Sequence, residues 1–131
     1  MKPIPLLPAL IWLLVILALI SWPEKQIPDA DILNIPYMDK AIHFFLFAVL
    51  AVFVYGGLLL QDKDSYLHVN SLFITIVIGL TYGAITEIIQ YFFIVGRYGT
   101  MGDFLANAFG TVFGVFVIRK SGKEYLFGHA V

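Results

Sequence analysis

The sequence predicts an all-α membrane protein with four transmembrane helices and both termini in the cytoplasm. Three observations carry that prediction. Of the 131 residues, 60% are hydrophobic and 13% charged, with a mean hydropathy of +0.90, whereas an average soluble domain carries roughly a quarter charged residues. The apolar residues gather into four runs, at about 6–22, 39–60, 71–95 and 103–118, and a bilayer is crossed by roughly 17 to 25 such residues in a helix. Lysine and arginine are shared unequally between the connectors, which orients the chain. A soluble helical core is the alternative, but runs this long would leave its outer faces greasy. The length suits a single domain, 1–131, with no internal repeat. The net charge of −1 gives no argument for a nucleic-acid partner. The chain has no cysteine, which excludes disulfides, thiolate metal ligands and a thiol nucleophile.

The first run, LLPALIWLLVILALISW from Leu6 to Trp22, is uncharged, with Lys2 before it and Pro23 after it. A cleaved signal peptide is its rival reading, but the run is long for that and no small-x-small cleavage site follows it closely. Ser21 and Trp22 suit a membrane interface, where tryptophan is favoured. Residues 23–40, PEKQIPDADILNIPYMDK, are the longest polar segment, and their prolines oppose a regular helix until Pro36. The second run, 39–60, opens with Asp39, Lys40 and His43. Asp39 and His43 lie four apart on one helix face, and Asp39 complements the dipole of a helix N-terminus. The short connector QDKDSYLHVN leads to the third run, 71–95, and the glycine-rich turn GRYGTMG, holding Arg97, leads to the fourth.

Four spans put Lys2, Lys63, Arg119, Lys120 and Lys123 on one side and Lys25, Lys40 and Arg97 on the other. The positive-inside rule then places both termini in the cytoplasm. Asp39, Lys40 and His43 open the second span on the outer side, Glu87, Gln90 and Arg97 close the third there, and Asp103 and Asn107 open the fourth. At about 1.5 Å per residue, Glu87 lies roughly 12 Å in from Val95, and His43 and Asn107 roughly 6 Å in from Asp39 and Asp103. Three spans thus deliver their polar residues to one depth.

Two stripes organise the last two spans. Gly79, Gly83, Glu87 and Gln90 share one helix face, and so do Asp103, Asn107, Gly110 and Gly114. The glycines are read as helix-packing positions that bring the third and fourth spans together, leaving the polar residues to meet where the stripes continue. Ionisable groups inside a span cost roughly 2.5 to 3.5 kcal/mol at its centre, so these residues must find one another or a watery pocket. A purely structural staple would pair Arg97 with Asp103 and Lys40 with Glu87, and would let Asn107 bond across helices. Such interhelical bonds average only about 0.6 kcal/mol, a weak return for so many costly groups. His43 and Glu87, which sit deeper, are therefore the candidate catalytic acid and base. Asp39, Lys40, Gln90, Arg97, Asp103 and Asn107 are the candidate ligand-binding residues, with Lys40 and Arg97 suited to a phosphate. His43, Glu87 and Asp103 are acceptable ligand types for zinc or manganese. A single histidine without an HExxH pattern argues against a metal, so neither metal nor cofactor is expected. No serine lies within the cluster, and Thr86 and Thr100 are poor substitutes as nucleophiles. Channel activity is opposed by the apolar inner half of every span.

The pattern DKxxHF at Asp39 to Phe44, ExxQ at Glu87 to Gln90, Arg97, and DxxxNxxGxxxG at Asp103 to Gly114 resembles the VanZ family. These are small bacterial membrane proteins named for a member associated with teicoplanin resistance. The resemblance implies a multi-span helical protein of the bacterial cell envelope, multi-pass in the inner membrane, with a link to glycopeptide tolerance; it carries no particular reaction with it. The expected partner is a membrane lipid or a lipid-linked envelope precursor whose head group enters an outward-facing polar pocket. Protein partners, if any, would be a second copy or another membrane protein. The alternative is a non-catalytic scaffold whose polar cluster only fixes helix packing.

Overall fold

A computed structural model describes residues 4–23 and 35–121. The polar connector at 24–34 and the tail from 122, with Lys2, Lys25 and Lys123, lie outside the described residues. Within them the chain is helical without strands: a 3-10 turn at Ile4–Leu6, then α1 (Leu7–Ile20), α2 (Met38–Leu59), α3 (Tyr66–Val69), α4 (Ser71–Phe93) and α5 (Met101–Lys120). Three of these, α2, α4 and α5, are long and apolar enough to cross a membrane. The first expected span, 6–22, is instead a 14-residue helix behind a single 3-10 turn, short of the roughly 20 residues that a span normally takes. Pro5 and Pro8 account for the short start. Proline lacks the N–H that an interior helix position must donate, and it is tolerated only in a first turn. The connector after α2 also holds structure that was not expected, the one-turn α3. Ser65 caps it by accepting from the His68 backbone N–H at 3.2 Å.

Each long helix begins and ends for a local reason. Before α2, Tyr37 adopts φ 63°, a left-handed conformation that reverses the chain after Pro36. Asp39 then lies in the first turn, where the helix dipole favours it. After α4, Gly96 takes φ 80°, which a residue with a side chain rarely adopts. Thr100 caps α5 by accepting from the Asp103 backbone N–H at 3.2 Å, and Arg119 and Lys120 sit at its other end, where the dipole favours cations.

The central element is α2. In its most apolar stretch 61% of residues are buried, against 28% in α4 and 39% in α5. Ile16, Phe47 and Leu50 are fully enclosed where α1, α2 and α4 meet. Trp12 crosses edge-on to Phe53 at 6.0 Å and donates its Nε1–H to the Leu46 carbonyl at 2.9 Å, while the Tyr82 hydroxyl donates to the Leu13 carbonyl at 2.6 Å. These two aromatic residues tie α1 to α2 and to α4. Outward faces are greasy: Leu14, Phe73 and Phe109 are about two-thirds exposed (67%, 67% and 65%). Water would penalise that arrangement and lipid would not.

The two glycine stripes pack, but not simply against each other. A Cβ on Gly79 would strike Thr111, and one on Gly83 would approach Asn107, so the α4 stripe does meet α5. A Cβ on Gly110 or Gly114 would instead strike the backbone carbonyls of Phe44 and Ala48 on α2. The expectation that both stripes join α4 to α5 is corrected accordingly. The stripe on α5 is wide enough to serve two neighbours, and α5 wedges between α2 and α4.

Candidate functional site

Antiparallel packing brings the start of α2, the end of α4 and the start of α5 to one end of the bundle, beside the end of α1. His43 is the centre of the resulting cluster and is only 2% exposed. Its Nδ1 lies 2.9 Å from Asn107 Oδ1 and 3.3 Å from Glu87 Oε1. Asn107 in turn donates Nδ2–H to Glu87 Oε1 at 3.1 Å. With its amide nitrogen committed to Glu87, Asn107 can only accept from the imidazole, so Nδ1 carries the proton. Nε2 points the other way, with Asp39 Oδ1 at 3.9 Å, beyond hydrogen-bond reach.

Two ion pairs close the outer rim. Lys40 Nζ lies 3.4 Å from Asp103 Oδ1, and Arg97 Nη2 lies 3.4 Å from Asp39 Oδ1. Both are longer than the roughly 2.7 to 2.9 Å of a tight charge-assisted bond. The partners differ from the expected staple, which paired Arg97 with Asp103 and Lys40 with Glu87. The reason lies in the wedge of α5, which carries Asp103 to α2 and leaves Arg97 to reach Asp39. Asp103 is also held on its second oxygen, which accepts from the Thr100 hydroxyl at 2.6 Å. Thr100 thus caps the helix and positions a carboxylate; the spacing T-x-x-D was the sequence signal for it.

Of the expected ligand-binding residues, Gln90 stands apart. It donates to the Ile20 carbonyl at 3.4 Å, with no bond to the His43 cluster. Arg97 has a similar second contact, donating Nη1–H to the Leu19 carbonyl at 3.4 Å. These two side chains bond carbonyls in the last turn of α1, of which that of Leu19 also accepts from the Trp22 backbone N–H at 3.4 Å. The structure therefore brings Asp39, Lys40, His43, Glu87, Arg97, Asp103 and Asn107 together in one cluster and sets Gln90 against the end of α1.

Two glycines missed by sequence reasoning shape the site. A Cβ on Gly99 would strike the Glu87 backbone carbonyl, so the turn lies directly on α4 there. Gly102 leaves room for the Lys40 side chain, whose Cε would be 2.7 Å from an added Cβ. Beneath this turn an open-sided cavity of about 370 Å³ runs between α4 and α5, lined by Ala84, Ile88, Tyr91, Phe92, Met101 and Phe104 with Glu87 and Thr100 at its polar edge. Glu87 Oε2 is buried without a well-formed hydrogen bond among the described residues, although the Thr100 backbone amide lies beside the carboxylate. The site thus combines buried ionisable groups at one end of the bundle with an open-sided apolar slot beside them.

Comparison with known proteins adds one match. The model of a family described as VanZ/LLP1 matches residues 6–122. No curated protein and no solved structure matches the chain.

Proposed function

The chain belongs to the VanZ/LLP1 family, and from that premise we propose that it is a multi-pass protein of the bacterial cytoplasmic membrane that binds the head group of a lipid-linked envelope precursor. The observation that carries this reading is the meeting of charged residues from α2, α4 and α5 at one end of the bundle, beside an apolar cavity open to the side. The head group would be anionic. Lys40 and Arg97 are each held by a carboxylate at 3.4 Å, loosely enough to be shared with a phosphate or carboxylate of the ligand. The apolar tail would lie along the slot between α4 and α5. His43 and Glu87 are the groups able to move a proton there. A link to glycopeptide tolerance belongs to the same reading.

The orientation follows from charge. Lys63, Arg119 and Lys120 lie at the end opposite the site, and the positive-inside rule puts that end in the cytoplasm, so the site faces outward. The 3-10 turn and α1 together run about 27 Å, close to the roughly 30 Å of a hydrocarbon core. That length supports α1 as a fourth span, with both termini inside.

A scaffold role is the second reading, favoured by the pairing of most polar groups in the cluster and by the bonds from Gln90 and Arg97 to α1. One experiment separates the two. The parent and the variants Arg97→Gln and Glu87→Gln are purified in mild detergent, and their melting temperatures and bound lipid are measured. A head-group site loses its lipid in both variants while the melting temperature stays near the parent's, because binding sites are commonly built at the expense of stability. A scaffold instead melts earlier in Arg97→Gln and recovers when Asp39→Asn removes the carboxylate left alone. Recovery of that kind sinks the ligand-site reading.

A further inference from the structure

We propose that the slot between α4 and α5 binds an amine carried on an apolar chain or ring, recognised by Glu87. The first observation is a single oxygen. Glu87 Oε1 takes the contacts of His43 and Asn107, whereas Oε2 is buried with no hydrogen-bond partner among the described residues. The whole side chain is only 10% exposed. The Thr100 backbone amide lies beside the carboxylate, and an oxygen that accepted from it would still hold a second lone pair. A buried polar atom left open in this way costs free energy that a donor from a ligand would recover. Oε2 lies at the wall of the slot. A Cβ on Gly99 would stand 3.0 Å from it, and Glu87, Gly99 and Thr100 all line the cavity. Because Oε2 is closed to solvent, a ligand's donor meets it through a small displacement of that turn.

The second observation is the balance of charge. Asp39 pairs with Arg97 and Asp103 with Lys40, each at 3.4 Å. Among the described residues no lysine or arginine pairs with Glu87. His43 meets its other oxygen through Nδ1, whose proton is shared with Asn107, so a neutral imidazole fulfils both contacts. Glu87 is thus the carboxylate of the cluster without a cation of its own, and an ammonium group supplies one. A hydroxyl would donate to Oε2 but leave the charge unanswered, and an anion would be repelled. Were the proton to pass from the ammonium to the carboxylate, the same bond would remain with donor and acceptor exchanged, so recognition holds in either state.

The walls of the slot fit the same guest. Tyr91, Phe92 and Phe104 line it together with Ala84, Ile88 and Met101. Aromatic faces attract a cation, and the aliphatic side chains suit the hydrocarbon attached to it. The volume of about 370 Å³ lies at the small end of the roughly 300 to 1,000 Å³ of ligand pockets, which suits one chain or a small ring. Joined to the head-group reading, the full ligand would carry an anionic group for Lys40 and Arg97 and an amine for Glu87. That combination rests on the function proposed above; the amine site itself does not.

The test uses the full chain in mild detergent at neutral pH. Dodecylamine bearing a diazirine on its chain is photolysed with the protein, and the labelled residues are mapped by mass spectrometry. Plain dodecylamine, dodecanol and dodecanoate serve as competitors. The expected result is labelling at Tyr91, Phe92 or Phe104 that dodecylamine displaces at a concentration roughly tenfold or more below the other two. Glu87→Gln should abolish that preference, since an amide nitrogen would face the amine in place of Oε2. Ala84→Leu, which narrows the slot and leaves Glu87 intact, should reduce the labelling itself by roughly tenfold or more. Equal displacement by dodecanol, a preference unchanged in Glu87→Gln, or labelling spread evenly over the exposed apolar surface would each overturn the proposal. Should Glu87→Gln fail to fold, the competition on the parent decides alone. A chain that shows the amine preference yet co-purifies no lipid-linked precursor keeps this site and loses the head-group reading; one that holds the precursor without the amine preference does the reverse.

Discussion

Asn107 links the buried imidazole to the buried carboxylate, accepting from His43 and donating to Glu87, and it is itself fully enclosed. Replacing it with an isosteric leucine would fill the space and strip both bonds at once. An unsatisfied buried polar group costs about 1 to 3 kcal/mol, so Asn107→Leu should destabilise the protein by roughly 2 to 5 kcal/mol, read as an early melt in detergent. Glu87→Gln should cost much less, since an amide oxygen can accept the same two bonds. A leucine variant as stable as the parent would show that His43 and Glu87 do not depend on Asn107. Much of this was legible beforehand. Helical period alone places Asp39 with His43 and Asp103 with Asn107 on single faces, and three spans counted in opposite directions bring those faces to one depth. The partners were not legible, because period says which face a residue occupies and not which neighbour that face meets. Arg97 therefore pairs with Asp39 and Lys40 with Asp103, each one carboxylate away from expectation.

Between elements, the tightest approach is that of α5 to α2, where the Phe44 and Ala48 carbonyls would be struck by a Cβ on Gly110 or Gly114. A backbone carbonyl in mid-helix cannot swing aside as a side chain can. Gly110→Ala should therefore cost about 1 to 3 kcal/mol through overpacking. Gly83→Ala should cost less, because its added Cβ would meet the Asn107 Cβ at 3.2 Å and the Phe47 ring at 3.5 Å, where small shifts suffice. Melting temperatures of the two variants in the same detergent check the order, and a reversed order would mean that α2 and α5 separate readily. Close packing was predictable from glycine spacing; its allocation to α2 was not. The ties from Trp12 and Tyr82 to mid-helix carbonyls were equally invisible, since an aromatic residue in an apolar run carries no mark of the carbonyl it will find.

For the whole molecule, orientation is the property that decides what the site can meet. The absence of native cysteine makes it directly measurable. Tyr98, 74% exposed in the turn beside the site, should as Tyr98→Cys react with an impermeant thiol reagent in intact cells, while Lys63→Cys in the opposite connector should react only after lysis. The reverse pattern would turn the site toward the cytoplasm. The side opening between α4 and α5 has a consequence of its own. Tyr91 and Phe92 on its border face outward, at 61% and 70% exposure, so the amphiphile proposed as ligand would approach in the plane of the membrane without leaving it. The relevant concentration is then a mole fraction in the bilayer, not a molarity in water. Saturation would depend on how much lipid and detergent surround each chain, and diluting the buffer at a fixed lipid-to-protein ratio would leave occupancy unchanged.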